Sequence, residues 1–174
     1  MNRILRGLLL TLFMTGMVTS IALAATLTDN DFNFTIKENG SYQINLLDDV
    51  TILNGTLGTA LDVINYNMEV PVTDYMYKYV SFYTDDNNQI TCITGDNIRT
   101  ARGIIASNTV EQVKVAYGEP DYIEPISNNH YMMVYGDANG TRKIMFKISN
   151  FLDQRGLVYN IQADIFPTTL DIKY

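Results

Sequence analysis

One cysteine, one histidine, four prolines and no tryptophan stand among the 174 residues. Each scarcity excludes something. A single thiol, Cys92, forms no internal disulfide, so the fold rests on its apolar core rather than on cross-links. A single imidazole, His130, has no second histidine or thiol at metal-ligand spacing, which leaves zinc and haem sites without support. No nucleophile-elbow sequence surrounds a serine, and no glycine-rich phosphate loop is present. Basic residues are few, 12 against 19 acidic, which argues against nucleic acid and anionic lipid as partners. No cofactor is expected.

Long apolar runs are confined to the first residues. Arg3 and Arg6 precede an apolar core from Leu8 to Val18, broken only by Thr11, Thr15 and Gly16. Ala22-Leu23-Ala24 then fits the small-x-small cleavage rule. Residues 1–25 read as a cleaved secretory signal peptide. The other reading, a membrane anchor, is opposed by the shortness of the run and its small-residue end. No cysteine follows the cleavage region, so no lipidation is expected. The sequence therefore predicts a secreted or extracytoplasmic protein with no stable membrane anchor after cleavage. Loss of Arg3 and Arg6 leaves ten basic residues against 19 acidic ones, a net charge of −9. The remaining 149 of 174 residues suit one compact domain or two small repeats sharing a core.

The clearest local signal is Arg99 to Tyr122. Asn108 is a candidate N-cap with Glu111 three residues on, and Val110, Val113 and Tyr117 share one helical face. Gly118 and Pro120 end the segment. The spacing predicts a helix over Thr109 to Tyr117, too short to persist undocked. Upstream, Phe32, Phe34 and Ile36 alternate with polar residues, as do Tyr42, Ile44 and Leu46, around the turn Glu38-Asn39-Gly40-Ser41. This predicts a β-hairpin. Val50 to Leu53 reads as a short strand. Leu57 to Met68, with Leu61 and Ile64, reads as a second helix closed by Pro71. Leu61, Ile64, Met68 and Pro71 align without a gap on Val110, Val113, Tyr117 and Pro120, which predicts an internal repeat of about 50 residues.

Tyr75 to Thr84 reads as a single strand rich in tyrosine. Asp85 to Asn88 is a turn, and Gln89 to Thr94 is a partner strand in which Cys92 is a small buried hydrophobe. Asp121 to Asn129 reads as a polar loop. Three strands follow as a meander: His130 to Tyr135, Arg142 to Ile148, and Gly156 to Phe166. In the last, Leu157, Tyr159, Ile161, Ala163 and Ile165 share a face. The expected class is α+β, an antiparallel sheet with short helices on one face, the expected units being 26–98 (hairpin and first repeat) and 99–174 (second repeat).

Arg102-Gly103-Ile104, then Val110, Val113, Tyr117-Gly118-Glu119-Pro120 and a meander, resembles the repeat of the β-lactamase-inhibitor-protein-like superfamily, a unit also seen in small outer-membrane assembly lipoproteins. The resemblance covers Arg99 to Phe166, and Leu53 to Thr94 more weakly. It implies two tandem helix-on-sheet units whose open sheet face binds other proteins. The inhibitor proteins are disulfide-bonded and the lipoproteins carry a lipidated cysteine. This chain has neither feature, so no inhibitory residue is carried over.

For chemistry, a lone His130 beside a strand fits a structural role. Asp48-Asp49 and Asp85-Asp86 are paired carboxylates of the kind a glycosidase uses, yet both flank turns, where aspartate serves local hydrogen bonding. Asp85 to Asn88 lacks the glycine and terminal glutamate of a calcium loop. The tyrosines offer the functional reading: Tyr75, Tyr77, Tyr79 and Tyr83 from one strand, with Tyr131 and Tyr135 from another, on one open sheet face. The alternative is that they pack within the fold or pair across strands. The expectation is a non-enzymatic module binding a protein partner through that face. The other class is an extracellular hydrolase or polysaccharide-binding protein using carboxylates and tyrosines. Carboxylates converging in a concave pocket would favour the hydrolase; an aromatic concavity with carboxylates scattered at turns would favour binding.

Overall fold

A computed structural model describes residues 26–37, 40–67, 70–137, 139–150 and 156–165. The expected signal peptide, and the first two residues of the expected turn Glu38-Asn39-Gly40-Ser41, lie outside the described residues. Eleven strands and two α-helices are described. Strands β1 (Asn33–Ile36) and β2 (Tyr42–Asn45) form the expected hairpin, with Phe34 opposite Ile44. The short β7 (Ile98–Arg99) joins β1 to complete a three-stranded sheet in the order β2-β1-β7.

The main sheet has eight strands, all antiparallel, in the order β3-β4-β5-β6-β11-β10-β9-β8. Strands β3 (Asp62–Tyr66), β4 (Val72–Met76), β5 (Val80–Thr84) and β6 (Ile90–Gly95) form one meander. Strands β8 (Tyr122–Ser127), β9 (His130–Gly136), β10 (Lys143–Ser149) and β11 (Leu157–Asp164) form the other. The two meanders join through their last strands, with Ala163 of β11 opposite Ile93 of β6. The class is α+β with antiparallel sheet.

Several sequence expectations change here. Val50 to Leu53 belongs largely to a helix, α1 (Thr51–Thr56), rather than a strand. The Asp49 carboxylate accepts hydrogen bonds from the Thr51 amide at 2.9 Å and its hydroxyl at 2.6 Å, which satisfies donors at the helix start. The expected helix Leu57 to Met68 is instead strand β3, because Asp-Val-Ile-Asn-Tyr carries the β-branched and aromatic residues that suit a pleated surface. The gapless alignment of Leu61 and Ile64 on a second helix is lost with it. The polar segment after Pro120 is strand β8, with Pro125 tolerated because β8 lies at the sheet edge.

The helix of the Arg99 to Tyr122 stretch forms as expected, α2 (Val110–Tyr117), but its cap is Thr109. The Thr109 hydroxyl accepts the Gln112 amide at 3.3 Å, and the Gln112 side chain accepts the Thr109 amide at 2.8 Å. Asn108 instead accepts the Ile105 amide at 2.8 Å and shapes the preceding loop. Gly118 ends the helix at a φ of 78°, a region that favours glycine.

Leu53 of α1 and Val113 and Tyr117 of α2 belong to one buried cluster with Phe34, Phe82, Ile93, Tyr135, Phe146 and Ile161. The Tyr117 ring lies 5.4 Å from that of Tyr135 and 5.1 Å from that of Phe146, centroid to centroid. Such contacts add roughly 0.5–1.5 kcal/mol to the apolar burial of each pair. Two arginines hold the segment before β1. Arg102 donates to Asp31 at 2.6 and 2.8 Å and stacks on the Tyr117 ring, while Arg142 contacts Asp29 at 2.7 Å and Asp137 at 2.9 Å and lies over Phe32. Burial would raise the Asp31 carboxyl; the hydrogen bonds from Arg102 and Thr28 outweigh it and hold the carboxyl below its ordinary value.

Candidate functional site

The tyrosine run does not make one open face. Tyr75 to Thr84 is two strands, β4 and β5, and the chain turns at Tyr77 to Tyr79, where the Tyr77 amide bonds the Val80 carbonyl at 2.9 Å. The turn breaks the alternation that would have aligned Tyr75, Tyr77, Tyr79 and Tyr83. Tyr77 is buried, sets its ring edge-on to Phe82 and donates to the Gly58 carbonyl at 3.2 Å. Tyr135 is buried and donates to the Gly118 carbonyl at 3.1 Å, while Tyr75 and Tyr131 are half-buried against the same core. Tyr83 pairs across strands with Cys92 and Asp74, on the reverse of the sheet from Phe82. Of these six tyrosines, Tyr79, 44% exposed, is the one that presents a large open surface.

Tyr79 does line a cleft. It is an open depression of about 340 Å³ where the β4–β5 turn meets the end of β6 and the middle of β11. Its aromatic rim is Tyr79 and Tyr159, the latter 39% exposed. Ser81, Thr94 and Asn160 supply neutral hydrogen-bonding groups, and Lys78 and Asp96 the charges. The Thr94 hydroxyl donates to the Asn160 side-chain oxygen at 3.1 Å, which ties the floor together across the junction of the two meanders. Lys78 sits 4.8 Å above the Tyr79 ring, and His130 meets the Tyr159 ring edge-on at 5.3 Å. These contacts fix both rims.

The sequence misplaces Tyr159 on the face of Ile161. The register of β10 and β11 slips between Lys147 and Ile148, so that Val158, not Leu157 or Tyr159, enters the core with Ile161 and Ala163. A β-bulge of this kind re-aims one side chain. Gly95 is the second enabling residue. A Cβ there would lie within clash distance of the Tyr79 carbonyl oxygen and 2.9 Å from the Val80 Cα. Only glycine lets the turn approach β6 this closely.

The carboxylates of the hydrolase reading do not converge. Asp48 accepts the Asn45 amide at 2.7 Å, and Asp85 accepts the Asn87 and Gln89 amides at 3.0 and 2.9 Å, all turn contacts. Two carboxyls raised by burial, Asp74 and Asp164, share a row across the reverse face through Tyr83 and Cys92. Three strand spacings separate them, about 14 Å, beyond the roughly 9.5 Å that an inverting glycosidase spans. Cys92 is buried, and burial pushes its thiol well up, as fits an inert small hydrophobe. The Ser127 hydroxyl and His130 Nδ1 lie 3.0 Å apart across the ends of the β8–β9 hairpin. Among the described residues no cluster of His, Cys, Asp and Glu is placed to hold a metal, and no helix is long and apolar enough to cross a membrane.

No protein-family model matches the chain, and no curated protein does. A solved structure of a DUF4309 family protein (YjgB) from Bacillus subtilis subsp. subtilis str. 168 is similar at 10% identity and a TM-score of 0.45, over 68% of this chain and 79% of that one. A likeness this distant carries no functional argument.

Proposed function

We propose that the chain is an exported, non-enzymatic binding module that recognises a protein partner at the cleft between its two meanders. The observation that carries this reading is the pair of exposed tyrosines, Tyr79 and Tyr159, rimming one concavity floored by Ser81, Thr94 and Asn160. Tyrosine gives large contact area at low conformational cost, with a polar tip for hydrogen bonding. The carboxylates capping turns, and the wide spacing of Asp74 and Asp164, support binding over hydrolysis. Export rests on Arg3, Arg6, the apolar run and Ala22-Leu23-Ala24.

We also propose a tandem duplication, of the kind the β-lactamase-inhibitor-protein-like resemblance implies. Its support is the order of elements: α1 precedes the meander β3 to β6, and α2 precedes the meander β8 to β11. Leu53 and Tyr117, one from each helix, enter the same cluster. On this reading the cleft lies at the seam between the units.

The test is a cross-linking pull-down from envelope and secreted fractions, with wild-type mature protein beside a Tyr79→Ala/Tyr159→Ala variant of confirmed fold. A protein captured by wild type and lost by the variant supports the reading, since tyrosines at the centre of an interface carry about 2 kcal/mol or more each. Equal capture by both sinks it. A parallel pelleting assay with cell-wall polysaccharide reads the alternative: tyrosine-dependent sedimentation there would replace the protein partner by a glycan.

A further inference from the structure

The cleft does not end at Tyr79. Asp96 lines it, and also lines a second, more enclosed depression of about 220 Å³ beside β7. Lys37 and Arg99 stand in this depression, with Ile105 and Ala106 as its apolar wall. Strand register puts the two cations together. Ile36 and Ile98 lie opposite each other and are buried, and the Lys37 amide bonds the Asn97 carbonyl at 3.3 Å. Alternation then turns Lys37 and Arg99 to the same outer face, as diagonal neighbours about 7–8 Å apart. Both are exposed. Like charges so placed repel, and elsewhere the fold gives its cations partners. Arg102, Lys114 and Arg142 pair with carboxylates, and Lys78 and Lys143 lie over tyrosine rings. Among the described residues, Lys37 and Arg99 have no ion pair, side-chain hydrogen bond or ring contact. Asp96, on the shared rim, is within salt-bridge distance of neither.

We propose that Lys37 and Arg99 bind the terminal carboxylate of a peptide chain whose last residue is aliphatic. Two cations a diagonal apart can hold the two oxygens of one carboxylate between them, Arg99 through its planar fork and Lys37 as a point charge. Ile105, 41% exposed, and Ala106 offer apolar surface to the side chain of that last residue. Asp96 sets the charge of the ligand. Two cations and one carboxylate leave a single positive charge, which suits a monoanion and opposes the second charge of a phosphate. The field of the whole chain adds to this. At net −7 it repels anions over most of its surface, so a carboxylate is held where cations stand without partners. The inference rests on the reading of the partner as a protein and extends it. Because Asp96 borders both depressions, the residues before the terminus would run toward Tyr79 and Tyr159.

The probe is N-acetyl-leucine, and its control is N-acetyl-leucinamide, which has the same body and no charge. Chemical-shift titration of isotope-labelled mature protein reads both. The acid is expected to bind with a dissociation constant of roughly 1–10 mM, as fits so small a ligand. It is expected to shift the amides of residues 37, 96–99 and 105–106. The leucinamide is expected to bind about tenfold more weakly, because it forms no charge-assisted bonds. Arg99→Gln and Lys37→Gln, both at exposed positions, are each expected to weaken the acid by about tenfold. Tyr79→Ala/Tyr159→Ala is expected to leave this titration unchanged, so failure here and failure of the pull-down are told apart. No saturable shift by the acid overturns the inference, as does equal binding of acid and leucinamide. Tighter binding of inorganic phosphate than of the acid, or wild-type affinity in Arg99→Gln, overturns it as well.

Discussion

The two halves of the eight-stranded sheet are both four-stranded antiparallel meanders, and they are finished differently. The half containing β8 to β11 has an eight-residue helix with a reciprocal cap, a triple aromatic contact of Tyr117, Tyr135 and Phe146, and two arginines binding the N-terminal segment to it. The half containing β3 to β6 has a six-residue helix with one fully buried side chain, Leu53, and ends in an exposed strand. Both halves feed one buried cluster, but the Tyr117 aromatic contacts and the two arginine pairs lie on the β8–β11 side of the seam. The cleft lies at that seam.

The comparison breaks first at Phe146. Phe146→Ala is expected to cost about 3–5 kcal/mol by chemical denaturation, the usual loss for a buried phenylalanine. Val63→Ala at the β3 edge, an exposed position, is expected to stay within about 0.5 kcal/mol. Similar losses at the two sites would mean the halves are equally loaded.

Asp31 and Asp164 sharpen the contrast through pH. Arg102→Met leaves the buried Asp31 carboxylate without its main partner, and a loss of about 2–3 kcal/mol at pH 7 is expected. Asp31 is depressed in the folded state, so this stability is present above its unfolded value near 3.8 and fades as pH falls below it. The wild-type and variant curves are expected to converge in acid. Asp164 has the opposite sign. Burial, opposed in part by Lys143, raises its carboxyl from 3.8 to about 6. The folded state then holds the proton more tightly than the unfolded one, and stability falls as pH rises from about 4 to about 6. Asp164→Asn is expected to flatten that slope and to stabilise the protein at pH 7 by up to about 2 kcal/mol. A denaturation series across this range that shows no change of slope would contradict the assignment.

The smallest effect belongs to the helix cap. Thr109→Ala is expected to cost about 1 kcal/mol, with Asn108→Ala acting through the loop rather than the helix terminus. Helical circular dichroism alongside denaturation separates the two.

Local signals in the sequence carried the hairpin of Phe34 and Ile44, the helix ending at Gly118, and the buried Cys92. They failed where two structures share one pattern. Leu61 and Ile64 fit a helix by spacing, yet Val63, Ile64 and Tyr66 favour the strand that forms. Glu124-Pro125 reads as loop chemistry and proves to be an edge strand, because proline needs no partner on its outer side. The turn at Lys78 and Tyr79 contains no glycine, proline or asparagine, so ten tyrosine-rich residues look like one strand. That turn decides the site. It buries Tyr77, leaves Tyr79 exposed, and depends on Gly95 across the cleft, a contact between distant positions that no local reading supplies. Tyr79 was legible as a candidate. Tyr159 was not, because a slip of one residue in β10–β11 register moved it out of the core face.

Hydrogen–deuterium exchange of the mature protein, free and bound to the protein it captures, tests recognition at the seam most directly. Added protection is expected in residues 77–81, 94–96 and 157–160 together, with α2 and β9 unchanged. Protection that leaves all three segments untouched and falls elsewhere would contradict the seam as the binding site.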